Sequence, residues 1–441
     1  MTYITRADVM SWGRVVRRPH SVAAPQFRSE LPVLLQEHSG SHILAIGMQR
    51  SYGDSIFNSE GGLISMTRLN RFIEFDLNKG SLKAETGVLF DDILALTVPR
   101  GFFVPVTPGT RFVSLGGAIA NDVHGKNHHR AGTFGRHVTR LGLLRSNGER
   151  LEVGPDSRGE LFAATVGGLG LTGIIEWAEF RLAPIASAFL DTEILPFGSL
   201  DEFWDLNTTS VESHEHTVAW IDCARTGRES KRGIYTRANW SAEGKLSPHA
   251  SQQRLHVPME APICVFGKRS VAALNQLYYM AQKRKAGFRH QHYSDFFYPL
   301  DAVSHWNRLY GRSGFWQYQC VMPPQNMREG IKALMDEIAT SGQGSPLAVL
   351  KTFGNVPSVG LLSFPMEGAT LALDFPNCGE ATMKLFARLD AIVREGNGRL
   401  YPAKDGRLPR EMFTKGYSQV ARFVDNIDPK FASDFWRRVA P

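Results

Sequence analysis

Three glycine-rich loops, all within the first 173 residues and in a fixed order, constrain this chain more than any other feature. The first, Gly47-Met-Gln-Arg-Ser-Tyr-Gly-Asp54, follows the apolar run Ile43–Ile46, which reads as a short buried strand. The second, Pro108-Gly-Thr-Arg-Phe-Val-Ser-Leu-Gly-Gly117, leads into Ala118–His124. The third is Val166-Gly-Gly-Leu-Gly-Leu-Thr-Gly173. Glycine lets the backbone approach a ligand and presents successive N–H groups, which suits a pyrophosphate. Ser114, as N-cap ahead of Gly116-Gly117, would bring a helix N-terminus to the same anion. One such loop is as often a tight turn; three in series are not.

The third loop contains the dinucleotide-binding spacing Gly168, Gly170, Gly173. That fingerprint requires a strand before it and a helix after it. Here Glu160–Val166 reads as helix and the alternating run Ile174–Leu182 as strand, so a Rossmann site is not expected. Hairpin signals join Phe72–Asp76 to Leu82–Thr86 through Asn78-Lys79-Gly80, and Leu141–Arg145 to Leu151–Val153 through Asn147-Gly148. Leu89–Val98 has helical apolar spacing and is closed by Arg100 and Gly101. Beyond Pro184 the chain reads as strands and amphipathic helices of a second α+β unit, with Arg225–Pro258 expected to be a long polar loop.

At 441 residues the chain exceeds what one hydrophobic core supports, so two domains are expected. No apolar run is long enough for a membrane span and the N-terminus has no signal-peptide h-region. Cys223, Cys264, Cys320 and Cys378 are far apart and form neither a disulfide frame nor a zinc motif. That pattern reads as cytoplasmic, with peripheral contact at the inner membrane; the periplasmic face stays open. The net charge of +7 suits a phosphorylated substrate or an anionic surface, and no nucleic-acid-binding signature accompanies it. The densest basic run, Lys283–Lys285 with Arg289, reads as a solvated helix face.

Arg50-Ser-Tyr-Gly-Asp54, Pro108-Gly-Thr110, Gly116-Gly-Ala-Ile-Ala120 and Gly167-Gly-Leu-Gly-Leu-Thr-Gly-Ile174 together resemble the FAD-binding domain of the vanillyl-alcohol-oxidase / p-cresol-methylhydroxylase superfamily. The fold this implies is α+β: a two-subdomain FAD-binding unit and a substrate domain whose antiparallel sheet covers the flavin. Many members carry a histidine in the first loop, covalently linked to flavin. Tyr52-Gly53-Asp54 stands there in this chain, so FAD is expected to be non-covalent. Asn121-Asp-Val-His-Gly-Lys-Asn-His-His129, Gln317-Tyr-Gln319, Leu371-Ala-Leu-Asp-Phe-Pro376 and Gly398-Arg-Leu-Tyr-Pro-Ala-Lys-Asp405 are similar to the decaprenylphosphoryl-β-D-ribose 2-oxidase family, across roughly residues 7 to 440. The resemblance implies residues 1–183 and 399–441 as FAD domain, with 184–398 as substrate domain. It also implies a lipid-phosphate-linked pentose as substrate, oxidised at C2, and a separate NAD(P)H-dependent short-chain reductase as partner. Members of that family place a cysteine where this chain has Ala372.

The residues expected at FAD are Gly47, Arg50, Ser51, Tyr52, Gly53, Asp54, Gly109, Thr110, Ser114, Gly116, Gly117, Asn121, His124, Gly125, Gly173, Ile174 and Tyr401. Those expected at substrate are Tyr52, Lys126, Gln317, Gln319, Lys351 and Lys404. Gln317 and Gln319 are two apart in a β-like run and so share a face. Lys351 lies inside an apolar run, a costly place for a charge without a partner, and is expected to meet the substrate phosphate. Lys404, His124 and Tyr401 are the candidates to take the hydroxyl proton. A metal on His124, His128 and His129 is not expected, since Gly125 interrupts the helix that would align them and no acidic or cysteine ligand is near. Two other readings stand beside this one: an oxidase of a free polyol or aldonolactone with the same fold, and a basic non-catalytic binder.

Overall fold

The computed structural model describes residues 2–38, 42–225, 231–250 and 255–441. Near the N-terminus a four-stranded sheet runs Ile4–Arg6, His20–Ala23, Gly62–Ser65, Ile43–Ile46, its last three strands parallel. Beside it lies a five-stranded antiparallel sheet in the order Phe72–Asp76, Ser81–Glu85, Ile174–Arg181, Val138–Leu144, Arg150–Val153. Both hairpins read from the sequence are in it. Helix Gly159–Thr165 precedes the third glycine loop and strand Ile174–Arg181 follows it, the reverse of a Rossmann order. Helix Phe90–Thr97 ends through a 3-10 turn at Gly101, whose φ of 80° needs the missing side chain.

An eight-stranded antiparallel sheet dominates the second half, ordered Gly287–His292, Phe189–Phe197, Gly233–Trp240, His216–Ile221, Ala348–Phe353, Gly368–Pro376, Phe315–Met322, Arg399–Leu400. Helices Leu200–Ser213, Met327–Ser341 and Glu380–Glu395 bury Phe203, Leu334, Leu385 and their neighbours against Ala219, Leu371 and Tyr318 on one sheet face. The other face is turned towards the glycine loops. One expectation is corrected here: Gly233–Trp240 is a fully paired strand inside the segment 225–258 read as a loop. Its polar residues hide the alternation, because Thr236 lines a cavity and Arg237 pairs with Glu193 at 2.5 Å. The rest of that expected loop lies partly in 226–230 and 251–254, outside the described residues.

The C-terminal segment packs on both halves. Phe431 bridges to Ile43 and Arg438 pairs with Asp54 at 2.8 Å, while Phe413, Tyr417 and Phe423 join the core of the large sheet. No helix among the described residues is long and apolar enough to cross a membrane.

Candidate active site

Between the glycine loops and the large sheet lies a cavity of about 1230 Å³. A typical small-molecule cleft holds roughly 300–1,000 Å³, so this one has room for a large cofactor and a second ligand. Strand alternation builds the sheet wall: Gln317 and Gln319, Thr370, Ala372 and Asp374, Val349 and Lys351, Val218 and Trp220 all face inward at steps of two. The facing wall is the cradle of Gly47–Tyr52, Thr107–Thr110, Ser114–Gly117 and Gly170–Gly173.

The cradle fits the pyrophosphate and ring system of FAD. Ser114 Oγ accepts from Gly117 N at 3.3 Å, capping helix Leu115–Ala120. A β-carbon at Gly47 would fall 2.1 Å from that same oxygen, so only glycine lets the first and second loops meet. The helix is only six residues long, and the loop N–H groups rather than a macrodipole make the anion site. Arg50 stacks on Trp12 at 4.0 Å, supplying a cation there. Ser55 Oγ is buried on the cavity wall without a hydrogen-bond partner, an orphan that a ligand would satisfy.

The structure brings Gly47, Arg50, Ser51, Tyr52, Gly109, Thr110, Ser114, Gly116, Gly117, Asn121, His124, Gly125, Lys126, Gly173, Gln317, Gln319, Lys351, Tyr401 and Lys404 to this one cavity. Three residues expected at the cofactor lie off the cavity wall. Gly53 is turned to the C-terminal segment, where a β-carbon would sit 1.9 Å from Asp405 O. Asp54 faces Arg438. Ile174 points into the apolar core below the first sheet, leaving Ile175 on the wall.

Around the sheet wall the polar groups form two linked sets. His124 Nδ1 lies 3.0 Å from Lys351 Nζ and its Nε2 lies 3.1 Å from the Gln319 amide; Lys351 also donates to Gly125 O at 3.0 Å. Burial and the facing Lys351 hold His124 well below the ordinary imidazole range, so it stays neutral, with one ring nitrogen free to accept from a neighbouring N–H donor. In the second set, Gln317 Nε2 donates to Asp374 Oδ1 at 2.6 Å, and Lys404 Nζ sits 4.1 Å above the Tyr52 ring. Burial lowers the Lys404 ammonium, opposed by the charge of Asp374; burial in turn raises Asp374. Tyr401, expected as a proton carrier, instead donates its hydroxyl to Asn121 O at 3.0 Å and stacks on Phe364. Burial pushes its phenol far above its usual range.

Lys126 donates to Phe296 O and lies 4.3 Å over the Phe296 ring. Burial pushes both Lys126 and Lys351 down to about 7. Among the described residues no carboxylate lies within ion-pair distance of either. Described residues also include no cluster of His, Cys, Asp and Glu able to hold a metal. Sequence reasoning missed Asp374, Ser55 and Trp12. Asp374 carried a signal, a carboxylate alone in the apolar run Leu371–Phe375, as costly as Lys351 without a partner.

The FAD binding domain family matches residues 19–154. With the cradle and the cavity-facing sheet, this defines an FAD-dependent oxidoreductase acting on CH–OH groups. A decaprenylphosphoryl-β-D-ribose oxidase of Mycolicibacterium smegmatis is 35% identical, the alignment covering 99% of this chain and 98% of the relative. The chain belongs to that oxidase family. An uncharacterised protein of Streptomyces coelicolor is 31% identical over 78% of this chain and 97% of its own length. A putative D-arabinono-1,4-lactone oxidase of Neurospora crassa matches only 40% of this chain and 32% of its own, at 27% identity.

Proposed function

We propose that this chain oxidises the C2 hydroxyl of a polyprenyl-phosphate-linked ribose to a ketone, the first half of an epimerisation to arabinose for cell-envelope glycan. The observation that carries the substrate class is the pair of half-buried lysines, Lys126 and Lys351, lining the cavity without a carboxylate in ion-pair range. A phosphate diester supplies the anion they lack, and Gln317 and Gln319 offer amide groups to the sugar hydroxyls. In this reading residues 1–183 and 399–441 form the FAD domain and 184–398 the substrate domain, with the phosphosugar between them.

Bound FAD supplies the two-electron acceptor for the hydride of the carbinol carbon. The chain's own residues manage the proton. Lys404 Nζ, desolvated over Tyr52, is the amine whose lowered basicity lets it accept the hydroxyl proton near neutral pH. Asp374, held by Gln317, sets how readily that amine gives up its own proton. His124 is a positioning residue between Lys351 and Gln319. The 2-keto product needs a separate NAD(P)H-dependent reductase to return hydride from the opposite side. Trapping the product of one turnover with borodeuteride tests this: deuterium at C2, in both ribo and arabino epimers, is expected, and label at any other carbon would overturn the assignment.

A further inference from the structure

We infer that the face built by residues 255–289, at the mouth of the cavity, docks on an anionic phospholipid bilayer. Nine of the sixteen large hydrophobic side chains exposed among the described residues lie here: Leu255, Met259, Ile263, Val265, Leu274, Leu277, Tyr278, Met280 and Phe288. Ile263, Leu277 and Phe288 are 76, 64 and 72% exposed. Helix Lys268–Lys283 lies on the cavity side of the sheet, with Tyr278 against Trp220 and Asn275 donating to Asp222 at 3.0 Å. It is sixteen residues long, yet only Val271 and Asn275 are buried. Helix Glu380–Glu395, of equal length, buries five. An amphipathic helix ordinarily hides its apolar stripe. This one leaves Leu277 and Met280, three apart, facing outward, with Leu274 and Tyr278 half-exposed at the mouth of the cavity.

Charge identifies what covers the stripe. Between 255 and 294 the sequence carries Lys268, Arg269, Lys283, Arg284, Lys285 and Arg289 against one carboxylate, Glu260, which is already paired with Arg14 and Arg17. Apolar side chains ringed by cations, with a tyrosine at the boundary, match the layered chemistry of acyl chains below anionic headgroups. A protein partner of mixed charge would call for carboxylates in the ring as well. The cavity opens on the same face: Leu274, Tyr278, Lys285 and Arg289 line it, and Ile194 and Trp220 continue the apolar wall inward. The inference deepens the reading above, since a prenyl tail anchored in the bilayer would enter along that wall.

The test is flotation of the FAD-loaded protein with vesicles of phosphatidylcholine and phosphatidylglycerol, against pure phosphatidylcholine. The wild type is expected to float with the anionic vesicles and to be released by high salt. Leu277→Glu/Phe288→Glu and Lys283→Glu/Arg284→Glu, all outside the cavity wall, should each weaken binding by about tenfold or more. Both should keep FAD and the rate on a short-chain, detergent-soluble substrate. Because the vesicles contain no substrate, this result is independent of which alcohol the enzyme oxidises. Three outcomes would overturn the inference: no flotation of the wild type, equal flotation of the variants, or a soluble dimer that Leu277→Glu/Phe288→Glu makes monomeric. The salt release of the wild type alone decides the matter should a variant fail to fold.

Discussion

Asp374→Asn is the substitution that most sharply probes how the proton is handled. It keeps the size of the side chain and an oxygen to accept from Gln317 Nε2, and removes only the charge facing Lys404. The base must be the neutral amine. Burial favours that form, while the Asp374 carboxylate favours the ammonium; Tyr52 beneath, and Lys351 and His124 across the cavity, are the other titratable groups facing it. An opposite charge nearby raises an amine by about 1–3 pKa units. Burial raises Asp374 itself to near neutrality, so it is only partly ionised and the lower end applies, about one unit or ~1.4 kcal/mol. Stopped-flow flavin reduction without oxygen, followed across pH, gives a rate that climbs to a plateau as Lys404 loses its proton. With Asp374→Asn the midpoint should fall by about one unit, making reduction up to about tenfold faster on the acidic limb, with the plateau changed little. A midpoint that stays or rises, in a variant that keeps FAD, would refute the coupling.

Lys404→Met should retain FAD and slow reduction by at least ~10²-fold, the low end for general acid–base catalysis; an unchanged rate would move the role to another residue. Acid precipitation should leave the yellow colour in the supernatant, because Tyr52 replaces the linkable histidine, and a yellow pellet would contradict non-covalent binding. Ala372→Cys should create a thiol on the cavity wall that alkylates only in the ligand-free enzyme, with little change in turnover, since Ala372 lines the cavity and has no ionisable group. Stability should rise with pH between about 7 and 10.5, where the unfolded chain binds protons at Lys126 and Lys351 that the folded one releases. It should fall as pH drops below 6.5, because burial holds His128 and His216 near 3; a flat melting profile across both windows would refute these assignments.

The glycine cradle was legible because its determinants are local: a strand, a loop and a cap lie within a few residues of one another, as at Ile43–Tyr52 and Ser114–Gly117. The pairing of Gln317 with Gln319 was legible for the same reason, as strand alternation needs no partner. What was not legible depends on distant segments. Asp54 looked like a cofactor ligand because its partner, Arg438, lies 384 residues away. Tyr401 looked like a proton carrier because its acceptor, the Asn121 carbonyl, is a backbone atom with no sequence signature. Strand Gly233–Trp240 was hidden because the residues that break its apolar pattern are held by distant partners, Thr236 on the cavity wall and Arg237 on Glu193. The basic run Lys283–Lys285 read as a solvated face; only the tertiary structure shows that the apolar stripe beside it is left uncovered.

The central claim is that the cavity is built for a phosphate-linked pentose. Its most direct test is the visible flavin band of the enzyme, without oxygen, after addition of a short-chain polyprenylphosphoryl ribose, the free pentose or an aldonolactone. Rapid bleaching by the phospholipid-linked sugar and none by the two soluble compounds is the predicted result. Bleaching by the free pentose or the lactone, with the lipid-linked sugar inert, would contradict it.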